Sequence, residues 1–353
     1  MYGLTVRMAL VLKSKIAKNL MWLLALALTG WTLVHLPLAS IRNSVLSLAW
    51  QQWFAWLGVN LIIIFLSAKR WHSLITMLKE TVSFKDVLFM RQAGNTINFI
   101  TPGPQFGGEP LQVYWLCRSG ASLEKALLSI GLDRGYEVLV NFTVLALCLF
   151  FLVCTGDVPF IKASSITASN IFVGVFYAVA VSTVFLATLR WLIGRSQRIS
   201  VHLQRFFSGW NEHRFIKKIQ ESWRSMKGDL GAVLRTQKLT LTNAALISFL
   251  AWGGLLVELA LLLQFLNIDF DAPAFLLILI SMRLALLLPI PGGVGTLEAS
   301  VFWSFHYLHL PDAAAIGLIA LMRLRDIIIL LFGFYCLRSV NKKSASPETA
   351  SSY

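Results

Sequence analysis

The stretches TPGPQFGGEP (residues 101–110) and IPGGVGTLEA (residues 290–299) decide the fold of this chain of 353 residues. When one is written above the other, a Pro-Gly pair and a later glutamate coincide at an offset of 189 residues (291 − 102 = 189). Pro-Gly ends a helix, because proline lacks a backbone N–H and glycine adopts backbone conformations that other residues avoid. The two stretches therefore predict an internal repeat built around a pair of helix-breaking turns.

The same offset also aligns charged residues further along the chain. Arg134 and Glu137 in the first half correspond to Arg323 and Asp326 in the second half. Charges are rare inside apolar segments, so their agreement supports a repeat more strongly than agreement between apolar residues does. In both halves the arginine precedes the acid by three positions, which predicts that each pair meets on one helix face.

The composition indicates an integral membrane protein. Hydrophobic residues make up 57% of the chain and charged residues only 14%, whereas soluble chains average roughly 45–50% and about 25%. A soluble chain of this composition would have too little polar surface to cover itself. A soluble enzyme, a disordered protein and a disulfide-stapled secreted module are therefore excluded.

The apolar stretches predict an all-α membrane fold with about six full transmembrane helices, each of roughly 20 residues. We place these helices at residues 20–36, 50–68, 126–153, 171–193, 241–266 and 313–337. Two further stretches, 87–101 and 273–290, are shorter or end at the Pro-Gly turns. They are expected to belong to two hairpins, one at 87–118 and the other at 273–309.

The distribution of basic residues predicts the orientation in the membrane. The chain has 31 Lys and Arg against 17 Asp and Glu, a net charge of +14. Cytoplasmic segments collect Lys and Arg, so both termini and the basic segment 194–240 are predicted to lie inside. The basic residues Lys69, Arg70, Lys79 and Lys85, which follow the span 50–68, are also predicted to lie inside. This topology holds if each hairpin is re-entrant and enters from opposite sides, which makes the repeat inverted. Alternatively each hairpin forms two short full spans, giving roughly eight or more spans with the same parity.

The predicted organisation has two transmembrane halves joined by a connector. The segments are a first half 1–193 with hairpin 87–118, a basic amphipathic cytoplasmic connector 194–240, a second half 241–340 with hairpin 273–309, and a disordered polar tail 341–353.

The candidate substrate-binding or translocation residues are the charges that the repeat places inside apolar segments: Arg134, Glu137, Arg323, Asp326, Glu109 and Glu298. An arginine held by an acid can receive a phosphate through its planar guanidinium. The alternative is a neutralised pair that only fixes helix packing. Each turn glutamate either caps a helix or acts in gating or proton coupling.

A second set of residues supports this candidate site. Secondary charged candidates are Asp133, Arg325, Arg118, Glu258 and Arg283. The hairpin turns are expected to use Pro102, Gly103, Gly107, Gly108, Pro291, Gly292, Gly293 and Gly295. No catalytic residue, metal site or cofactor is predicted, because the sequence has no Walker loop, no HExxH and no GxSxG.

The quoted motifs resemble a known family. NFITPGPQFGGEPLQVYWL (98–116) with GLDRGYEVL (131–139), and LLPIPGGVGTLEA (287–299) with ALMRLRDII (320–328), are similar to the transmembrane region of lysylphosphatidylglycerol synthases. That family also contains free-standing, flippase-like membrane proteins. The resemblance implies movement of a lipid between leaflets, and the six principal charges above fall where the family's motif charges fall. Because the chain stops at Tyr353, a synthase domain and lysyl transfer are not expected.

Three functions are compatible with these features. The first is a flippase that moves an anionic or modified lipid headgroup through a polar cavity between the inverted repeats. The second is a membrane-embedded enzyme of the glycosyltransferase type, and the third is an accessory protein in lipid or envelope-glycan synthesis. A transporter is favoured over an enzyme, with membrane lipids as partners and no nucleic acid. The resemblance implies the plasma (inner) membrane of a prokaryote. A synthesis enzyme is left open as a further partner.

Overall fold

The computed structural model describes residues 48–101, 107–155, 237–288 and 290–345. Within these ranges the chain is helical and contains no β-strand. This confirms the all-α class for the part of the protein that the structure describes. The predicted helices at 20–36 and 171–193, nearly all of the connector 194–240 and most of the tail 341–353 lie outside these ranges.

The helices before and after the connector follow one another in the same order. The first group is α1 (Trp50–Met77), α2 (Phe84–Ile100), α3 (Glu109–Arg118) and α4 (Leu123–Thr155). The second group is α5 (Lys238–Phe265), α6 (Ala272–Ala285), a 3-10 turn (Pro291–Gly293), α7 (Thr296–Tyr307) and α8 (Asp312–Ala345).

The boundaries of these helices support the internal repeat. Corresponding helices start at offsets of 238 − 50 = 188, 272 − 84 = 188, 296 − 109 = 187 and 312 − 123 = 189 residues. Their lengths agree as well: 28 and 28, 17 and 14, 10 and 12, and 33 and 34 residues. A long helix, two short helices flanking a turn, and a second long helix therefore occur twice.

Three of the described helices are long and apolar enough to cross a membrane: α1, α4 over Leu123–Leu152, and α5. They coincide closely with the predicted spans 50–68, 126–153 and 241–266, although α1 continues to Met77. The predicted span 313–337 lies in α8, which at 34 residues is about 51 Å long. Like α4 with Asp133, Arg134 and Glu137, α8 carries three closely spaced charges, at residues 323, 325 and 326.

The helices beside the two turns are short. With 17, 10, 14 and 12 residues, α2, α3, α6 and α7 are about 25, 15, 21 and 18 Å long. Each is shorter than the roughly 30 Å hydrocarbon core of a bilayer. Helices of this length, interrupted by a turn, place irregular backbone between them.

The turn between α6 and α7 depends on glycine. Gly292, Gly293 and Gly295 have φ values of 59°, 61° and 85°, in the left-handed region that side chains with a Cβ avoid. The ring of Phe99 on α2 also occupies the position that a Cβ on Gly292 would take. Both the conformation and the packing therefore exclude a larger residue at Gly292. At the first turn, residues 102–106, which include Pro102 and Gly103, lie outside the described ranges.

The first hairpin is closed by the side chain of Asn98. Its amide oxygen accepts hydrogen bonds from the backbone N–H groups of Gly107 (2.6 Å) and Gly108. Its amide nitrogen donates to Glu109 Oε1 (3.0 Å). The backbone at Gly108 lies directly against the backbone of Gly94. One side chain thus satisfies two backbone donors at the start of α3 while the two hairpin helices approach closely.

Contacts divide the described residues into two compact units. The first contains 48–60, 89–101, 107–111, 256–288 and 290–345, and the second contains 61–88, 112–155 and 237–255. Each unit draws on both halves of the repeat.

In the first unit, α2 packs on α8. Thr96 of α2 fills the space beside Gly333 of α8, and the rings of Phe89 and Tyr335 make an edge contact with centroids 6.1 Å apart. α6 packs on α7, and α7 packs on α8.

In the second unit, the C-terminal part of α1 packs with α4 and α5. Leu74 and Met77 of α1, Leu128 of α4 and Ala244 of α5 form a buried cluster. The Tyr136 hydroxyl donates to the Leu241 carbonyl (2.9 Å) beside this cluster.

Replacing Gly108 with alanine should destabilise the protein, because the new methyl group would overlap the Gly94 backbone. Overpacking of this kind costs about 1–3 kcal/mol. Gly131→Ala is the matched control, since a Cβ at Gly131 meets nothing within 4 Å and alanine is the better helix former. Thermal unfolding in detergent would measure both. A Gly108→Ala protein as stable as the Gly131→Ala protein would contradict the close approach.

Candidate functional site

Most of the charged residues predicted for the site lie in two clusters, one in each unit. We call the first the Arg325 cluster, made of Glu258, Arg283, Glu298, Arg323, Arg325 and Asp326. We call the second the Arg70 cluster, made of Arg70, Asp133, Arg134 and Glu137. Each is described by itself below.

Arg70 is the centre of its cluster. Its Nε lies 2.7 Å from Asp133 Oδ1 and its Nη2 lies 2.7 Å from Glu137 Oε1. Its Nη1 donates to the hydroxyl of Ser248 on α5 (3.1 Å). Arg70 and Asp133 are each only 3% exposed. The guanidinium therefore joins α1, α4 and α5 through charge-assisted hydrogen bonds.

Arg134 and Glu137 form the ion pair that their spacing predicts. Arg134 Nη1 donates to Glu137 Oε2, one helical turn away on α4. Because Glu137 also accepts from Arg70 through its other oxygen, its carboxylate bridges two guanidinium groups. The predicted meeting of this pair on one helix face is confirmed.

The position of Arg70 corrects one interpretation of the sequence. The span prediction ends at residue 68, so Arg70 is counted among the basic loop residues that follow it. In the structure α1 continues to Met77, and Arg70 is buried and ion-paired within it. Arg70 therefore belongs to the candidate site and is not a cytoplasmic loop charge.

Arg323 holds the second hairpin turn. Its Nε and Nη2 lie 2.7 and 2.6 Å from Glu298 Oε1. Nη1 donates to the carbonyl of Gly292 (3.1 Å) and to Asp326 Oδ2 (3.0 Å), and Nη2 donates to the carbonyl of Gly293 (3.3 Å). A guanidinium has five N–H donors, and each of these has an acceptor.

Glu298 has two roles at once. Its Oε2 accepts from the backbone N–H of Gly295 (2.7 Å) at the start of α7, and its Oε1 pairs with Arg323. An acid in the first turn of a helix satisfies an unpaired backbone donor and faces the positive end of the helix dipole. Capping, one of the two roles left open for this residue, is present in the structure together with an ion pair. The predicted pair of Arg323 with Asp326 also forms.

Arg325 links α8 to α5. Its Nε and Nη2 donate to Asp326 Oδ1 (3.1 and 2.9 Å), and its Nη1 donates to Glu258 Oε2 (3.0 Å). Glu258, which is 3% exposed, also accepts from Trp56 Nε1 (3.2 Å) and Asn60 Nδ2 (3.1 Å). The carboxylate of Glu258 is thus surrounded by three donors, so its burial is compensated.

The two clusters use the same kind of contact with opposite signs. In one, an arginine on the long helix α1 pairs with acids on α4, and in the other, an acid on the long helix α5 pairs with an arginine on α8. Arg70 and Glu258 lie 188 residues apart (258 − 70 = 188), which is the offset between α1 and α5. Each half therefore joins its two long helices by an ion pair, but the partners do not align, since Arg325 corresponds to Tyr136 at the offset of 189 (325 − 189 = 136).

Counted over the described residues, the charges named in each cluster balance. In the Arg70 cluster two arginines face two acids. In the Arg325 cluster Arg283 lies within electrostatic range of Glu258 and Arg325, so three arginines accompany three acids. Electroneutrality is expected where charges are withdrawn from water.

The remaining predicted residues have separate environments. Glu109 starts α3 and accepts from Asn98. Arg118 is exposed at the end of α3, where it donates to the hydroxyl of Tyr114 (3.3 Å) and lies 5.8 Å from that ring's centroid. Across the described ranges, no group of three His, Cys, Asp or Glu side chains could hold a metal ion.

Several residues of these clusters have no signal in the sequence. Arg70 and Ser248 contact residues far away in the chain, as do Trp56 and Asn60. Asn98 lies outside both clusters and acts within its own hairpin. A polar residue just before a Pro-Gly turn is a recognisable hydrogen-bonding partner for the backbone of that turn.

Long apolar helices with paired charges in their interiors define a helical integral membrane protein. The chain belongs to the family of the lysylphosphatidylglycerol synthase TM region, whose profile matches residues 12–333. The resemblance noted in the motifs is therefore confirmed over most of the chain.

Two relatives are archaeal proteins named UPF0104 membrane proteins. The one from Methanothermobacter thermautotrophicus is 26% identical over 259 residues, which cover 70% of this chain and 73% of that protein. The one from Methanocaldococcus jannaschii is 25% identical over 297 residues, which cover 80% of this chain and 84% of that protein. Both similarities extend over most of each protein.

Replacing Arg70 with methionine should strongly destabilise the second unit, because Asp133 would lose its buried guanidinium partner. Removing one partner of a buried ion pair costs about 3–5 kcal/mol. Lys125→Met is the control, since Lys125 pairs with Glu80 (3.0 Å) with a side chain that is 35% exposed, and such pairs contribute about 0–1 kcal/mol. Denaturation in mixed micelles would measure both losses.

Adding Asp133→Asn to Arg70→Met should recover part of the lost stability, since it removes the buried negative charge that Arg70 neutralises. Equal losses for Arg70→Met and Lys125→Met, or no recovery in the double variant, would contradict a buried ionic contact at Arg70.

Proposed function

We propose that this protein is a lipid transporter of the flippase type, which moves an anionic or modified phospholipid headgroup between the two leaflets. The observation that carries the proposal is the pair of electroneutral charge clusters inside otherwise apolar helices. A charged side chain in the middle of a membrane costs on the order of 2.5–3.5 kcal/mol on insertion scales. Ten charged residues in two clusters are more than helix packing requires, because apolar residues of similar volume pack as well.

A headgroup crossing hydrocarbon faces the same cost as these side chains. Its phosphate loses water unless polar groups along the route replace that water. Arginines suit this task, since the guanidinium donates paired hydrogen bonds to phosphate oxygens. The acids keep the arginines neutralised when no lipid is bound.

The proposal includes a specific arrangement in the membrane. Hairpins α2–α3 and α6–α7 are re-entrant, and the two halves of the repeat are inverted with respect to each other, with about six full spans in all. The short lengths of the hairpin helices support this, because none of them reaches across roughly 30 Å of hydrocarbon. The distribution of basic residues supports a plasma-membrane orientation with both termini in the cytoplasm.

The family name supports a lipid as substrate. The matching family is described by the membrane region of a lysylphosphatidylglycerol synthase, and lysylphosphatidylglycerol is a lipid whose headgroup carries a phosphate. We infer a phospholipid substrate for this chain from that description together with its own arginine-rich clusters.

The hydrogen bonds of Arg323 suggest how binding is coupled to movement. All of its donors hold the turn and its neighbouring acids. In this proposal, a phosphate that binds Arg323 replaces its hydrogen bonds to the carbonyls of Gly292 and Gly293. Binding of the phosphate then frees the turn from Arg323. Because glycine residues adopt many backbone conformations, the freed turn can change shape, and the hairpin α6–α7 becomes mobile as the headgroup passes it.

Translocation by purified protein in vesicles tests the proposed function. Arg134→Gln and Arg323→Lys should each slow the transfer of a fluorescent phospholipid between leaflets by about tenfold or more, equivalent to roughly 1.4 kcal/mol in the barrier. Lysine keeps the charge of Arg323 but cannot reproduce its five donors. The measurement is the loss of fluorescence when a quencher is added outside the vesicles.

Lys125→Gln provides the control, because Lys125 makes a surface ion pair and should leave the rate unchanged. Wild-type protein that transfers lipid no faster than protein-free vesicles would refute the function. Normal transfer by both arginine variants would refute the role of the clusters.

A further inference from the structure

The most exposed charges of the second unit have a single sign. Among the described residues of this unit, the charged side chains that are exposed are all basic, namely Lys69, Lys79, Lys85, Arg118 and Lys238. The acids of the same unit are buried or half-buried. A group that approaches this unit from outside therefore meets positive charge first.

Four of these basic residues lie at one end of the unit, because contacts hold the helix ends there together. Glu80, in the loop after α1, lies 3.0 Å from Lys125 Nζ at the start of α4. The carbonyl of Val82 in the same loop lies 3.1 Å from His72 Nε2 of α1. Leu241, near the start of α5, packs against the cluster at the C-terminal end of α1. We call Lys79, Lys85, Arg118 and Lys238 the basic end surface.

The acids near the basic end surface make local contacts. Glu80 pairs with Lys125, and its side chain is only 15% exposed. Asp86 accepts a hydrogen bond from the hydroxyl of Ser83 (2.7 Å), which lies just before α2. These carboxylates are therefore turned toward the protein, while the lysines beside them are exposed.

Exposed apolar side chains lie next to the basic end surface. Tyr114 of α3 is 50% exposed, and the guanidinium of Arg118 lies 5.8 Å from the centroid of its ring. Leu123 and Leu127, which are 38% and 41% exposed, are one turn apart at the start of α4. Aromatic and apolar side chains followed by basic ones are typical of the boundary between hydrocarbon and headgroups.

We propose that the basic end surface binds anionic phospholipids of the leaflet that surrounds it. The headgroup phosphates lie against Arg118, Lys79 and Lys85. The acyl chains extend along Tyr114 and Leu127. The surface attracts net negative charge and does not select one headgroup, so the lipid that it binds is boundary lipid.

The apolar neighbours favour a lipid over an acidic protein as the occupant. A protein that approached from water would engage the lysines and Arg118 but would have no use for Leu123 and Leu127. A phospholipid brings a negative headgroup and acyl chains together, so it satisfies both kinds of side chain. Each Lys or Arg close to an anionic lipid surface strengthens binding about fivefold.

The experiment measures which lipids remain with the purified full chain. Protein in neutral detergent receives equal amounts of phosphatidylglycerol, phosphatidylserine and phosphatidylcholine with identical acyl chains. After size-exclusion chromatography, mass spectrometry measures the retained lipid. The two anionic lipids should be retained equally, and each about fivefold or more over phosphatidylcholine. In about 1 M salt, where the screening length falls to about 3 Å, this preference should disappear.

Two double variants with the same change in net charge separate the surface from the charge of the whole protein. Lys79→Gln with Arg118→Gln should lower the preference for anionic lipid about fivefold or more. The control is Gln264→Glu with Asn267→Asp, two exposed positions at the other end of α5 from Lys238. That end lies about 40 Å along the helix, which is several screening lengths, so the preference should be nearly unchanged.

Equal losses in the two double variants would overturn the inference, because net charge alone would then set retention. A preference that persists in high salt, or retention of phosphatidylglycerol without phosphatidylserine, would also overturn it, and neither comparison needs a variant. Thermal unfolding identifies any misfolded variant. All four substituted residues are exposed, so each protein should unfold near the wild-type temperature.

Polyglutamate tests the alternative of an acidic protein as the occupant. Retained phosphatidylglycerol should stay bound when polyglutamate is added, because the polymer has no acyl chains to contact the apolar neighbours. Displacement of the lipid by polyglutamate would favour an acidic protein and overturn the inference. Retention in detergent involves no transfer between leaflets, so these outcomes are independent of the proposed transport.

Discussion

Neutralisation of buried charge is the constraint on which the rest of the structure depends. A helix such as α8 can carry Arg323, Arg325 and Asp326 only where each charge finds an opposite one. The partners come from the turn through Glu298 and from α5 through Glu258. The same requirement brings Arg70 of α1 to Asp133 and Glu137 of α4. Ion pairs thus determine which helices meet and at which residues.

Backbone groups at the two turns face an equivalent requirement, because hydrocarbon offers them no hydrogen bonds. In the first hairpin, Asn98 supplies the acceptor for two backbone N–H groups. In the second, Arg323 supplies donors for two carbonyls and Glu298 supplies an acceptor for one N–H. A neutral amide and an ion pair therefore perform related tasks in the two halves.

Residue spacing in the sequence predicts helices and the contacts between residues that are close together in one helix. The repeat, three of the spans, and the pairs Arg134–Glu137 and Arg323–Asp326 follow from spacing along one chain segment. The partners of Glu258 do not, because Trp56, Asn60 and Arg325 are distant in sequence. Arg70 is misread for a physical reason: basic residues also mark the cytoplasmic ends of spans, and nothing local distinguishes a buried arginine from a flanking one.

The different placement of the two interhelical ion pairs has a consequence for how such sequences diverge. Both halves join their two long helices through an ion pair, yet the partners of Arg70 and of Glu258 do not align along the repeat. Each half can therefore move such a pair independently of the other, provided that both partners change together. Relatives should then show correlated changes of charge between α1 and α4, or between α5 and α8, at positions where simple identity is low.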